Sequence, residues 1–250
     1  MIHYIMLTWN RKAFTKDCFD DFFRKHACKD FRFFIIDNGS TDGTVELLKE
    51  IASKDERFFV SYNQENKGLQ EYKKLLKIAR NFAPSDYIVI VDDDVIEFPT
   101  QFDKKMVDAM NAVPELGFLA LDVIQDEKTN GAKPTEEHYT LETIHSISLA
   151  KGPVGGWCVM MRTSDLKKLR FWLWFKRFSM KNGEDGALSN LIRKKLNKFS
   201  AILHSEKCLH ATGPYYSKKY GFLERDIEKY KKSNLTEFVE VYSSYRDKND

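Results

Sequence analysis

The sequence predicts an α/β fold: a three-layer sandwich with a mostly parallel central sheet and a C-terminal helical appendage. Three observations carry this. Strand-sized apolar runs alternate with segments whose apolar residues recur three and four apart through the first half of the chain. Those runs are nearly continuous in apolar character, as strands buried on both faces require. No Gly/Ser linker, low-complexity tract or internal repeat interrupts the 250 residues, a length suited to one large or two small domains.

Residues 3–8 are the first strand, ended by the polar turn Trp9-Asn10-Arg11. Residues 31–36 are the second, stopped by Asp37-Asn38-Gly39-Ser40-Thr41-Asp42-Gly43. Residues 44–52 follow as a helix, because Val45, Leu48 and Ile51 make one apolar stripe. Residues 58–62 are a third strand. Asn66-Lys67-Gly68 opens a helix with Leu69, Tyr72, Leu75, Leu76 and Ala79 on one face, which Pro84-Ser85 breaks. Residues 87–91 read as a fully buried strand. Beyond Asp94 the spacing predicts a helix over 98–113 and a strand over 118–124. Residues 125–151 are polar, without a period, and read as an excursion or loop. Strand character returns over 154–161, helix over 184–196 and strand over 199–203. The tail, 222–245, has helical spacing and reads as a packing or dimer element.

Composition excludes several classes. Lys and Arg number 40 against 37 Asp and Glu, a balance of +3, so the chain is not a polycation and nucleic acid is not an expected partner. The longest apolar runs fall far short of the ~20 residues that span a bilayer. Met1 is followed by no basic segment or cleavage signal, and Cys18, Cys28, Cys158 and Cys208 show no CxxC pair, so a cytoplasmic setting is expected.

Polar residues gather where an open α/β sheet binds ligands, beyond the carboxyl ends of its strands. Thr8 and Asn10 follow the first strand, Asp37 and Asn38 the second, Asn63 and Asn66 the third, and Asp92-Asp93-Asp94 the fourth. Three adjacent carboxylates repel one another and are costly to bury unpaired. A divalent cation turns that repulsion into a site, and Mn²⁺ or Mg²⁺ completes its shell with substrate phosphates. Side-chain alternation sends Asp92 and Asp94 one way and Asp93 the other.

The ordered set Thr8-Trp9-Asn10, Ile36-Asp37-Asn38-Gly39-Ser40-Thr41-Asp42-Gly43, Asn66-Lys67-Gly68, Val91-Asp92-Asp93-Asp94 and Gly183-Glu184-Asp185 resembles the family 2 glycosyltransferases with the GT-A (Rossmann-like) fold. The likeness runs over about residues 2–213. It implies inverting transfer of a sugar from a nucleoside diphosphate donor, most often a UDP-sugar, to a hydroxyl of a glycan or lipid-linked acceptor. Carried over by position, Thr8, Asn10 and Asp37 would hold the nucleoside, and Asp92 the ribose or donor. Arg11, Asn66, Gly68 and Asp93 complete the implied donor set. Asp94 would ligate the metal, with His210 as a further ligand or diphosphate contact. Asp185 matches the catalytic base and Glu184 its acidic neighbour. The resemblance implies a domain over 1–213, with a nucleotide-sugar half to about 97 and an acceptor half beyond, and a tail, 214–250, packed on it. Gln70-Glu71-Tyr72-Lys73-Lys74 departs from the small residues and Arg-Asn usual after Gly68, which implies an unusual sugar pocket.

Several signals carry more than one reading. Gly155-Gly156-Trp157 could admit an acceptor, with Trp157 as a stacking face, or Trp157 could fill the core. Tyr215, Lys218 and their neighbours could fold over the diphosphate as a lid or form a surface turn. Phe171-Trp172-Leu173-Trp174-Phe175, flanked by Lys167, Lys168, Arg170, Lys176 and Arg177, could meet an anionic membrane peripherally, line the acceptor groove or pack in the core. His204, Cys208 and His210 fit no common zinc spacing. Two other functions compete: a nucleotide-sugar or glycan-binding module without catalysis, and an Asp-based phosphoryl-transfer hydrolase. The hydrolase would place its Asp after the first strand, and the binding module would not need Asp185.

Overall fold

The computed structural model describes residues 1–129, 133–179 and 183–248. The chain begins β1 (Ile2–Thr8), α1 (Lys12–Lys25), β2 (Phe31–Asp37), α2 (Thr44–Lys54) and β3 (Phe58–Tyr62). A 3₁₀ turn (Gly68–Glu71) leads into α3 (Tyr72–Ala79), then β4 (Tyr87–Val91), β5 (Val95–Glu97), α4 (Phe102–Ala112) and β6 (Leu116–Val123). Next come β7 (Thr140–Ile144), β8 (Ile147–Lys151), β9 (Cys158–Arg162), α5 (Thr163–Trp174), α6 (Glu184–Leu196) and β10 (Phe199–His210). The tail holds α7 (Pro214–Lys219), α8 (Leu223–Lys232) and α9 (Thr236–Ser243).

The sheet order is β3-β2-β1-β4-β9-β6-β10-β8-β7, with β5 pairing β10 off this path. The first four strands in that order run parallel, as do β6 and β10, while β9 is antiparallel between β4 and β6. Register explains where the site lies. Thr8 is opposite Asp37, and Asp37 opposite Tyr62, so the polar carboxyl ends of three strands line up on one rim. Burial fits the sequence pattern: every residue of β6 is buried, as are Ile88 to Val91 of β4. Beneath the rim, stacked Tyr4, Phe33 and Phe58 rings, 5.2–5.3 Å apart, join β1, β2 and β3 and add specific aromatic packing to the buried area.

Departures from the sequence expectation have local causes. The helix expected over 98–113 begins only at Phe102. Pro99 disfavours helical geometry at Phe98, whose N–H is taken by Asp21 at 2.6 Å. The segment expected as a polar loop contains the β7–β8 hairpin. Its turn residues His145 and Ser146 adopt φ of 49° and 66°, the left-handed geometry of a tight hairpin, without the Asn-Gly signature that announces one. The strand expected over 154–161 is confined to β9. The segment expected as helical over 222–245 is two helices, α8 and α9, broken at Asn234 (φ 54°) and packed on each other through Leu223, Ile227 and Tyr242. The tail also grips the first βα loop: Arg225 donates to the carbonyls of Trp9 (2.7 Å) and Asn10 (2.8 Å), and Tyr220 stacks on Phe14 at 4.0 Å. No helix among the described residues is long and apolar enough to cross a membrane.

Candidate functional site

Asp37 closes β2 with no solvent exposure. Its Oδ1 accepts from the Gly39 (3.2 Å) and Ser40 (2.9 Å) amides, while its buried Oδ2 has no partner. A buried carboxylate oxygen left unmatched is costly, and a ligand N–H would satisfy it. Asn10, itself left-handed at φ 49°, pins the loop that follows Asp37: its Oδ1 accepts from Thr41 N at 2.7 Å and its N–H donates to Ser40 Oγ at 2.8 Å. Gly39 is required there, because at φ 82° a Cβ would sit 2.8 Å from the Glu65 backbone. Asn66 Oδ1 accepts from Asn38 Nδ2 (2.9 Å) and Gly68 N (2.8 Å). Asn63 joins this net through Asn38 (3.0 Å) and the buried Glu71 (3.0 Å). Gly68, at φ 66°, faces open space.

The acidic triplet leaves β4 with its two kinds of carboxylate sorted as alternation requires. Asp93 turns inward, accepting from Thr8 Oγ1 at 2.7 Å and Arg11 at 3.0 Å. Asp92 and Asp94 turn toward His210, whose Nε2 lies 3.7 Å from Asp92 Oδ2 and 3.0 Å from Asp94 Oδ1. The end of β10 is carried there by a hydrogen bond from Ala211 N to Asp94 O, 2.8 Å. One ligand atom from each of Asp92, Asp94 and His210 falls within 4.8 Å of the others. Arg11 also bonds Asp94 Oδ2. Enclosure and the neighbouring Asp94 push Asp92 up to about 7. Burial works against the Asp94 carboxylate too, yet Arg11 and His210 outweigh it and hold Asp94 well below the usual range. For His210 burial disfavours the imidazolium, and Asp94 with Asp92 reverses that, raising it. Two carboxylates and an imidazole suit a divalent cation, and the nitrogen favours Mn²⁺ over the all-oxygen preference of Mg²⁺. Asp94 Oδ1 is buried and makes no aligned hydrogen bond, even to His210 Nε2 at 3.0 Å, which fits an atom arranged for a further ligand.

The opposite wall is the start of α6. Asp185 is half-buried and accepts from Gly186 N at 2.6 Å, and Glu184 is buried. Gly156 makes room here, since a Cβ on it would lie 3.3 Å from Glu184 Oε1 and 3.5 Å from Asp185 Cβ. The next residue's carbonyl, Trp157 O, accepts from Asp92 N at 2.8 Å, so Gly156 and Trp157 link the triplet to Asp185. Burial, and then Asp92, raise the Glu184 carboxyl to about 8, so it is mostly protonated at neutral pH. A carboxyl raised in the fold keeps its proton where the unfolded chain has lost it. Stability therefore falls as pH rises from about 4.5 to about 8. Glu184→Gln should melt a few degrees higher than the parent at pH 8.5, with the gain fading toward pH 5 in thermal unfolding; a gain independent of pH would contradict this.

The structure brings Asp92, Asp94 and His210 into one cluster with Glu184 and Asp185 near Asp92, and joins Asn66 and Gly68 through Asn38 to the end of β2, where Asp37 lies. It revises other expectations. Thr8 is buried beneath Asp93, so it supports the triplet instead of facing a donor. Trp157 is 3% exposed, donates Nε1 to Leu121 O at 2.9 Å and lies behind His210, so the core reading holds over the stacking face. Lys218 bonds the Arg246 carbonyl (3.2 Å) and that of Lys248, and Tyr215 rests beside Lys128 at 5.0 Å, within the short helix α7; neither is a free lid residue here. His204 pairs with Asp122 at 3.4 Å, away from His210. Sequence reasoning missed Glu71, Tyr72, whose hydroxyl lies 3.5 Å from Asp92 Oδ1, and Arg225 behind Asn10. The first two were legible only as a departure from a pattern, the third not at all.

The fold is that of GT-A glycosyltransferases. The mannosyltransferase PcManGT from Pyrobaculum calidifontis, solved with GDP-Man and Mn²⁺, aligns with a TM-score of 0.62 at 15% identity, covering 99% of this chain and 65% of that one. S. aureus TarS 1-349 with UDP-GlcNAc aligns at 0.61 and 15% identity, over 89% of this chain and 63% of that one. GalNAc-T7 with UDP, GalNAc and Mn²⁺ aligns at 0.57 and 10% identity, over 84% and 43%. The chain thus spans less than two thirds of the length of these structures. No curated protein matches it by sequence. The model of glycosyl transferase family 2 matches residues 4–170, well over half the chain, and the chain belongs to that family.

Proposed function

We propose that the chain is a metal-dependent, inverting glycosyltransferase that moves a sugar from a nucleoside diphosphate donor to an acceptor hydroxyl. The observation that carries this is the Asp92/Asp94/His210 cluster at the end of β4, with the Asp185 carboxylate near it and the unmatched Asp37 oxygen at the end of β2. In this reading residues 1–97 form the nucleotide-sugar half, 98–213 the acceptor half, and the tail braces the first loop.

Asp37 Oδ2 accepts a base N–H. With Oδ1 already held by two backbone amides, one free oxygen matches the single imide N–H of uracil better than the paired donors of guanine. Asp94 and His210, with Asp92, would hold the cation, which supplies positive charge where the diphosphate leaves. Arg11 is placed to move from Asp94 to a phosphate oxygen, exchanging one charged partner for another. Asp185 accepts the proton of the acceptor hydroxyl as its oxygen bonds to the anomeric carbon. The carbon–oxygen bond to the diphosphate breaks with its electron pair, on the opposite side, and the centre inverts. The solved GT-A structures bound to GDP-Man or to UDP-GlcNAc support a nucleotide-sugar donor.

Asp37→Asn keeps an oxygen for Gly39 and Ser40 but turns an amide toward the base N–H. It should weaken UDP binding by about 10- to 100-fold in calorimetry with Mn²⁺, the loss of one charge-assisted hydrogen bond. Unchanged affinity would remove Asp37 from the base site. A thermal-shift panel of UDP and GDP with and without Mn²⁺ tests the donor choice, with UDP plus Mn²⁺ expected to stabilise most.

A further inference from the structure

Apolar side chains exposed to solvent need a reason, and three lie at the end of α5, counting the residue that caps it. Leu166, Leu169 and Leu173 point into the core, as helical spacing dictates. Phe171, Trp174 and Phe175 point out, at 64%, 71% and 70% exposure, the three most exposed large apolar side chains among the described residues. The sequence offered a core reading for this cluster; only Leu173, and Trp172 in part, follow it.

The surroundings are cationic. A groove of about 600 Å³ between α3 and the end of α5 is lined by Lys73, Lys77, Arg80, Arg170 and Arg177 beside Trp174 and Phe175. Helix α3 carries no carboxylate, and the one on α5, Asp165, is buried and paired with Lys198 at 2.7 Å. The nearby Glu71 is buried and paired with Lys74 at 2.6 Å. The face therefore presents aromatic rings ringed by uncompensated positive charge, in a chain whose total is only +3. It also adjoins the cleft: Gln70, two residues past Gly68, donates its side-chain amide to the Phe178 carbonyl.

We infer that this face docks on a bilayer containing anionic phospholipid. The charge complementarity selects the occupant. Cations at headgroup level meet acidic lipid, while Trp174, Phe171 and Phe175 enter the interfacial zone where aromatic rings are favoured. A protein partner of ordinary hydrophobic type would not need so one-sided a rim of charge. Docking this way would place the cleft beside the membrane and favour a lipid-linked acceptor, a consequence that rests on the transferase reading. The docking itself does not.

The test uses the full chain and large unilamellar vesicles, either phosphatidylcholine alone or phosphatidylcholine with phosphatidylglycerol, without donor or metal. The expected result is co-sedimentation with the mixed vesicles at 0.1 M salt, little with phosphatidylcholine alone, and weakening as salt rises. Trp174→Ala with Phe175→Ala, and separately Arg170→Glu with Arg177→Glu, should each lower partitioning at least about tenfold while the melting temperature stays unchanged, because all four side chains are exposed. Asp94→Ala should bind vesicles like the parent, which separates this inference from the transferase reading. No binding to mixed vesicles, binding indifferent to both double variants, or light scattering showing that the aromatic pair instead holds a dimer together would each overturn it.

Discussion

Asp94→Ala is expected to reduce sugar transfer by about 10²–10³-fold or more and to abolish the Mn²⁺ dependence of donor binding. The expectation follows from the position of Asp94. It is the residue of the triplet that meets both positive groups, with His210 Nε2 at 3.0 Å and Arg11 on its other oxygen. Its carboxylate is held ionised by them against the cost of burial, so it is ready to accept a cation at any physiological pH. Removing it leaves Asp92 as the one carboxylate facing His210, at 3.7 Å. One carboxylate and an imidazole make a poor site for a hard divalent ion. The measurement is calorimetric titration of UDP with and without Mn²⁺, on parent and variant, with the thermal midpoint as a control for folding. A variant that binds UDP in the same metal-dependent way would show that Asp94 is not a ligand.

Asp185→Asn is expected to separate binding from chemistry. General-base catalysis by a positioned carboxylate contributes about 10²–10⁴-fold, so turnover should fall by that amount while UDP affinity stays within a factor of about two. The isosteric amide can still accept from Gly186 N through its oxygen, which preserves the start of α6, but it cannot take the acceptor proton. Loss of donor affinity along with turnover would mean that Asp185 holds the donor; unchanged turnover would place the base elsewhere.

Much of this site was legible in the sequence because strand ends are written in it. The apolar run ending at Val91 and the triplet after it fixed both the location and the alternation that separates Asp93 from Asp92 and Asp94, and the hydrogen bonds follow that split. Asp37 was legible for the same reason. His210 was not readable from spacing, since its partnership with a triplet 116 residues earlier depends on how β10 closes the sheet. Thr8 and Trp157 show the complementary limit. A polar or aromatic residue beside a site can face the ligand or hold up what does, and only packing distinguishes the two. The β7–β8 hairpin was hidden because His145 and Ser146 take left-handed geometry that their identities do not advertise. The tail's hold on the first loop through Arg225 is a tertiary contact across more than 200 residues, beyond any periodicity argument.

The stereochemistry of transfer tests the account most directly. In the proposed mechanism a single base acts opposite the leaving diphosphate, which gives displacement with inversion whether the nucleophile is an acceptor hydroxyl or water. Early-time proton NMR of the sugar released or transferred from the UDP-sugar chosen by the thermal-shift panel, with Mn²⁺ present, reads the anomeric configuration before it equilibrates. An α-linked donor should give the β anomer first, and this product should disappear with Asp185→Asn. An α anomer formed first would contradict the assignment of one catalytic carboxylate.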